Sequence, residues 1–218
     1  YLRRARQDGV TRAEVFFGAQ TFLDTGVPLS VQLDGIFEAL EDARDELDID
    51  AAVILTAHRH RTESAALELV EMVRPWHERI LGFGLSGAER GNPPSKFADY
   101  FAHCRRLGMR TTIHAGEDGP ASYVREALDV CHPDRIDHGV TAFADSDLVK
   151  RLAQERIPLT MCPLSNQRLC VTPDLAMHPL AQLHRAGVLV TVNSDDPPYF
   201  GGYINDNYHA IANALALS

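Results

Sequence analysis

The chain has 218 residues, 45% of them apolar, and 21 Lys+Arg stand against 30 Asp+Glu for a net charge of −9. That apolar share can build a core and excludes wholesale disorder, and the acidic balance argues against a nucleic-acid partner, whose phosphates call for clustered Lys and Arg. No apolar run nears the about 18–20 residues that span a bilayer, so no membrane partner is expected, and no basic segment leads into an apolar one as in a signal peptide.

The chain begins Tyr1-Leu2-Arg3 without an initiator Met and reads as the inside of a longer protein. Cys104, Cys131, Cys162 and Cys170 show neither a CxxC pair nor framework spacing, which suits a reducing cytoplasm. Ten His are the more informative count, because His binds metals and moves protons near neutral pH.

In chain order, short β-branched runs alternate with amphipathic stretches. Strands are expected at 13–17, 52–56, 80–85, 110–114, 135–138, 158–162 and 188–193, each short, apolar and closed by polar or Gly positions. Helices are expected over 31–47, where Ile36, Leu40, Ala43 and Leu47 recur at helical spacing, and over 63–73, which stops before Pro75. The next is 95–107, with Ser95 as N-cap and Gly108 as C-cap. Helices over 121–130, 145–155, 176–186 and 203–217 follow. Strict alternation implies a parallel sheet with right-handed crossovers. No linker or composition shift divides the chain, so one domain is expected over 1–218. A doubly wound sheet would gather its site at one switch point, often with a Gly-rich phosphate loop, and no such loop occurs. Polar groups instead close several separate strands, the pattern of a (β/α)8 TIM-type barrel with seven of eight strands visible.

Three strand ends carry the chemistry. His114-Ala115-Gly116-Glu117 closes the fourth run, and a His and a carboxylate converging there fit a metal ligand beside a general acid or base. A strand-end His bonded to a loop carbonyl, with Glu117 in solvent, is the plain alternative. Asp137-His138-Gly139 closes the fifth, where Gly139 permits a sharp turn or a close approach. Asn193-Ser194-Asp195-Asp196-Pro197 follows the seventh run, read as a buried strand. Its adjacent acids repel and cost free energy to desolvate unless a cation compensates them. Because side chains alternate along a strand, Asp195 and Asp196 should differ in role, one on a metal and one on a substrate. The alternative is a helix N-cap with a solvated acid. Cys162-Pro163-Leu164-Ser165-Asn166 reads as a tight βα turn rather than a nucleophile site, since Cys162 follows an apolar strand. His58-Arg59-His60 is the one HxH, but its flanks read as a polar loop and Arg59 would repel a metal.

Taken together, HAGE, IDHG, CPLSN and NSDDP, in this order and spacing, resemble the adenosine/adenine deaminase family of metal-dependent hydrolases over nearly the whole chain. The resemblance implies a (β/α)8 barrel, one Zn2+ per subunit, and hydrolytic loss of the purine 6-amino group. It assigns His114 and Asp195 to zinc, Glu117 to protonation of the purine at N1, and His138 to orienting the zinc-bound hydroxide. It assigns Asp196 to N7 and the backbone N–H of Gly87 to N3. A carboxylate or carbonyl is expected on the free nitrogen of His114. Gly84, where the adenosine branch has Asp, and Pro93-Pro94-Ser95-Lys96-Phe97 look more like the adenine deaminase branch. Adenine is therefore the expected substrate. Adenosine, or a non-catalytic purine-binding barrel, is the alternative. The family's HxH pair on its first strand is not in this chain, and His58-His60 falls on the third strand, so it is not that pair. A whole barrel takes about 250 residues. The expectation is a barrel lacking its first βα unit and its C-terminal helices. Oligomeric state stays open.

Overall fold

The computed structural model describes residues 1–216, and Leu217, the last residue of the expected final helix, lies outside them. Its contacts group into two compact units, Tyr1–Ala88 with Ser95–Thr112, and Glu89–Pro94 with the chain from Ile113 onward.

The first unit runs α1 (Leu2–Gln7), β1 (Arg12–Phe17), α2 (Ala19–Asp24), α3 (Leu29–Leu47), β2 (Asp50–His58), α4 (Glu63–Met72), β3 (Gly82–Ser86) and α5 (Ala98–Arg106). β1 pairs with β2 and β2 with β3, both parallel. β2 is buried along nearly its whole length, as a strand covered on both faces must be, which explains its unbroken apolar run. The inward stripe of α3 is centred on Leu33 and Phe37, while Ile36, Leu40 and Leu47, expected to lead it, lie at its margin.

The expected Ser95 cap is not used. Ser95 sits inside a 3-10 turn over Pro94–Phe97, and α5 starts at Ala98 with Phe97 in the N-cap position. A first-turn N–H of α5 is satisfied from outside the helix, where Glu63 Oε1 accepts from the Tyr100 amide at 3.0 Å. The Tyr100 hydroxyl donates to the Gly84 carbonyl at 3.0 Å, and the Tyr100 ring meets Phe83, Phe97 and Phe101 edge-on. Gly84 is small by necessity, since a Cβ there would stand 2.9 Å from the Thr56 methyl.

β4 (Arg110–Ala115) contributes to both units. The second unit continues with α6 (Ala121–Glu126), β5 (Arg135–His138), α7 (Ser146–Gln154), β6 (Leu159–Met161), α8 (Pro163–Arg168), α9 (Leu180–Arg185), β7 (Val190–Val192), α10 (Pro197–Phe200) and α11 (Ile204–Leu215). β5 pairs with β6 and β6 with β7, again parallel. Asp145 caps α7, accepting from the amides of Asp147 at 3.1 Å and Leu148 at 3.0 Å. The helix expected over 176–186 is broken. Residues before a proline avoid the helical region, and His178, ahead of Pro179, is extended, so a 3-10 turn over Leu175–Met177 precedes the separate α9.

The hydrogen-bonded strand order is sequential, β1 through β7. A doubly wound sheet reverses its order at a switch point, whereas sequential winding belongs to the (β/α)8 class. β1 and β7 stand at the ends of that order, and neither is the fully buried strand its apolar run suggests. β1 alternates with only Ala13 buried, and Thr191 of β7 is exposed. Each has one strand neighbour among the described residues. Among the described residues, no helix is long and apolar enough to cross a membrane.

Candidate active site

Three strand ends of the second unit bring the expected groups together. His114 lies one residue before the end of β4. Its Nδ1 stands 3.2 Å from Asp137 Oδ2, the carboxylate expected on its free nitrogen. Asp137 is buried in the middle of β5, and its other oxygen receives the Thr160 hydroxyl at 3.0 Å and Arg135 Nε at 3.3 Å. That leaves Asp137 fixed from two sides and able to hold the His114 ring in one orientation. Burial pulls the His114 pKa down, but the hydrogen bond and charge of Asp137, then the charges of Glu117 and Asp195, outweigh it and raise it.

Next in the chain, Gly116 turns at φ 75°, where a Cβ would strike Val124 and Thr141, and delivers Glu117 to the same space. Glu117 Oε1 lies 3.5 Å from His138 Nδ1, and the His114 and His138 rings are 4.9 Å apart at 60°. The turn is clamped by a residue that carried no expected role. Glu89, 1% exposed, accepts from the Gly116 amide at 2.8 Å and the Glu117 amide at 2.7 Å. An acid after Gly-Ala in a loop carries no signal that separates it from a solvated side chain, so its role is visible only in three dimensions.

Both His138 and Asp195 adopt left-handed backbone, at φ 63° and 54°. For side chains other than glycine this conformation costs about 1–2 kcal/mol, and such strain gathers at functional sites. Asp196 is exposed and holds the N-cap position of α10, as the capping alternative expects, although its side chain makes no cap hydrogen bond. Partial burial and the neighbouring Asp195 charge raise its carboxyl above the usual range, against the pull of His114.

His138, Cys162 and Asp195 form the one group among the described residues whose metal-capable atoms lie within 4.8 Å of one another. Cys162 is a poor thiolate. Burial and then the charges of Asp195, Glu117, Asp137 and Asp196 drive its thiol pKa far up, and its Sγ donates to the Thr160 carbonyl at 3.6 Å. This agrees with a structural rather than a nucleophilic role.

Two sequence candidates lie in the first unit. Gly87 follows β3 at φ 98°, a conformation that favours glycine, with ordinary contact distances to Arg59 and His60. The His58 and His60 rings stack at 5.3 Å, and the His58 amide donates to Gln20 Oε1 at 2.9 Å. Arg59 between them is fully buried.

The profile of the adenosine deaminase family matches residues 1–218. The chain is 51% identical to an adenine deaminase of Rhodopseudomonas palustris over 218 residues, all of this chain and 64% of that protein. It thus spans a little under two thirds of that relative's length. The crystal structure of an adenine deaminase from Arthrobacter aurescens superposes with a TM-score of 0.97 at 44% identity, covering 100% of this chain and 67% of the other. That of an amidohydrolase from Burkholderia ambifaria, with bound Zn, gives 0.90 at 27% identity over 96% of this chain and 59% of the other. The seven parallel strands are those of the (β/α)8-type barrel that these structures share, and the chain belongs to the adenosine deaminase family.

Proposed function

We propose that the protein carrying this chain deaminates adenine hydrolytically, giving hypoxanthine and ammonia. One observation carries the reading. His114, Glu117 and His138 converge from two strand ends beside the strained Asp195, in a chain half identical throughout to an adenine deaminase.

The donors present would supply part of a zinc ligand set. Asp137 holds Nδ1 of His114 and so leaves Nε2 to an ion, and Asp195 supplies an oxygen ligand. Glu117, Asp137 and Asp195 all bear on His114, a negative surrounding that a divalent cation would neutralise. We assign His114 and Asp195 to one zinc ion, whose contribution is to lower the pKa of water towards neutrality and so provide a nucleophile. Glu117 protonates N1 of the purine, which makes C6 electrophilic. His138 orients the attacking water and takes part in its proton transfer, and Asp196 hydrogen-bonds N7. Water then adds at C6 and ammonia leaves. No disulfide joins Cys104, Cys131, Cys162 and Cys170, which suits a reducing cytoplasm.

The test compares adenine and adenosine turnover by the full-length protein, with zinc measured on the same sample. Adenine preference with stoichiometric zinc is expected. A preference for adenosine sinks the substrate assignment, and a metal-free protein that binds purine without turnover sinks the enzyme assignment. Glu117→Gln should keep zinc and substrate while losing nearly all turnover, and normal turnover by that variant refutes the proton-donor role.

A further inference from the structure

Two buried side chains lead away from His138 and take no part in the chemistry described so far. His138 Nδ1 stands 3.4 Å from Asn166 Nδ2, Asn166 Oδ1 stands 3.3 Å from His178 Nε2, and the Leu180 amide donates to His178 Nδ1 at 3.3 Å. Asn166 and His178 are both 0% exposed, and His138 is 4% exposed. Asn166 comes from α8, in the CPLSN segment, and His178 from the extended residue between the 3-10 turn and α9.

The direction of these hydrogen bonds is fixed from their far end. A backbone amide can only donate, so His178 Nδ1 must accept. A neutral imidazole has one N–H, so His178 carries its proton on Nε2 and gives it to Asn166 Oδ1. The reversed Asn166 amide would ask His178 to accept at both nitrogens, which the neutral ring cannot do. Burial holds His178 neutral, with its pKa lowered to about 4. The Asn166 NH2 therefore faces His138 Nδ1, which accepts.

We infer that Asn166 and His178 are positioning residues that hold His138 as the Nε2–H tautomer. Nδ1, with Asn166 Nδ2 at 3.4 Å and Glu117 Oε1 at 3.5 Å, accepts from Asn166, and Nε2 is left with its proton to orient the attacking water. The same state makes His138 a poor metal ligand, because Nε2 is protonated and Nδ1 is taken. It separates His138 from Asp195 within the group of metal-capable atoms. The consequence for turnover rests on the proposed deamination, whereas the tautomer itself does not.

The experiment is long-range 1H–15N correlation of the imidazoles in 15N-histidine-labelled, zinc-loaded, full-length protein at neutral pH. His138 and His178 should each show a protonated Nε2 and a bare Nδ1. A proton on Nδ1 of His138, or a bare Nε2, overturns the inference without any variant. Asn166→Asp has the same shape but replaces the donor facing His138 with an acceptor, so His138 should move its proton to Nδ1. Its kcat for adenine should fall at least about 10-fold with KM within about threefold. His178→Gln keeps an N–H for Asn166 Oδ1 and should preserve both the tautomer and activity within about threefold. Loss of activity in Asn166→Asp with the tautomer unchanged shows a merely structural role and refutes the assignment. If the unaltered protein does not deaminate purines, the functional reading fails, and the tautomer pattern still decides this inference by itself.

Discussion

Glu89→Gln tests whether the clamp on the HAGE turn positions Glu117. The native carboxylate accepts two amides at 2.8 and 2.7 Å in a site 1% exposed. Hydrogen bonds to a charged group contribute about 1.5–3 kcal/mol each. Glutamine keeps one acceptor and turns an NH2 towards the other amide, so one charged bond is lost, the second becomes neutral, and a buried N–H faces a donor. The expected cost is about 2–4 kcal/mol, a large part of a domain's stability but short of unfolding it. Urea unfolding should show a lower midpoint with an unchanged slope. Displacing a catalytic acid by about 1 Å can cost about 100-fold, so kcat should fall about 10- to 100-fold with bound zinc unchanged. Gly119→Ala is an independent route to the same damage. A Cβ there would strike Glu89 Oε2 and come 2.9 Å from the Tyr123 ring. Native stability and native kcat in Glu89→Gln would refute the clamp.

Protonation of His178 ties stability to pH. Its pKa is about 4 in the fold and about 6.5 when unfolded, so between these values only the unfolded chain binds the proton, and stability falls as pH drops. The loss should approach about 3 kcal/mol below pH ~4, and unfolding titrations should show a shallower pH slope for His178→Gln; equal slopes reject the assignment. Cys170 is exposed whereas Cys104, Cys131 and Cys162 are buried, and burial pushes the Cys104 thiol up to about 12. A thiol reagent on the folded protein should therefore modify Cys170 first, with mass spectrometry locating the label. Asp195→Ala should abolish stoichiometric zinc, and Asp137→Asn should weaken it by about 10- to 100-fold; a competition titration with a chelator measures both, and native affinity in Asp195→Ala removes it from the ligand set.

All seven strands are legible because each falls in a short apolar run closed by polar or Gly positions, a local property of the chain. The burial of the strands was not equally legible. β2 has a strand on each side, whereas β1 and β7 end the described order, and a strand's own residues do not record its neighbours. Short helices escaped for a related reason. α8 and α10 each begin with a proline in their first turn and span six and four residues, too few for a 3.6-residue period to show. The site divides in the same way. His114, Glu117, His138, Asp195 and Asp196 close expected strands, so the fold itself points to them. Glu89 acts on an amide 28 residues away, and Asn166 bonds a ring 28 residues back and another 12 ahead. Nothing local to those residues marks a partner that distant.

The strained residues and the acids lead to one conclusion by separate routes. Asp195 would lose its backbone strain as a glycine, as would His138, whose neighbour Gly139 already turns left-handed at φ 68°. The path of the chain therefore does not explain the side chains retained there. Likewise, Asp195 raises the pKa of Asp196 next to it and, with Glu117 and Asp137, that of Cys162. A fold selected for stability alone would disperse these charges or replace them with apolar groups. Of the cations that bear on them, Arg135 reaches Asp137 at 3.3 Å and His114 is itself held by Asp137. Left-handed backbone at His138 and Asp195 and the clustered acids occur in the same few residues. On the proposed function, a divalent cation with a purine beside it would relieve the remaining charge, at the positions where the left-handed backbone is kept.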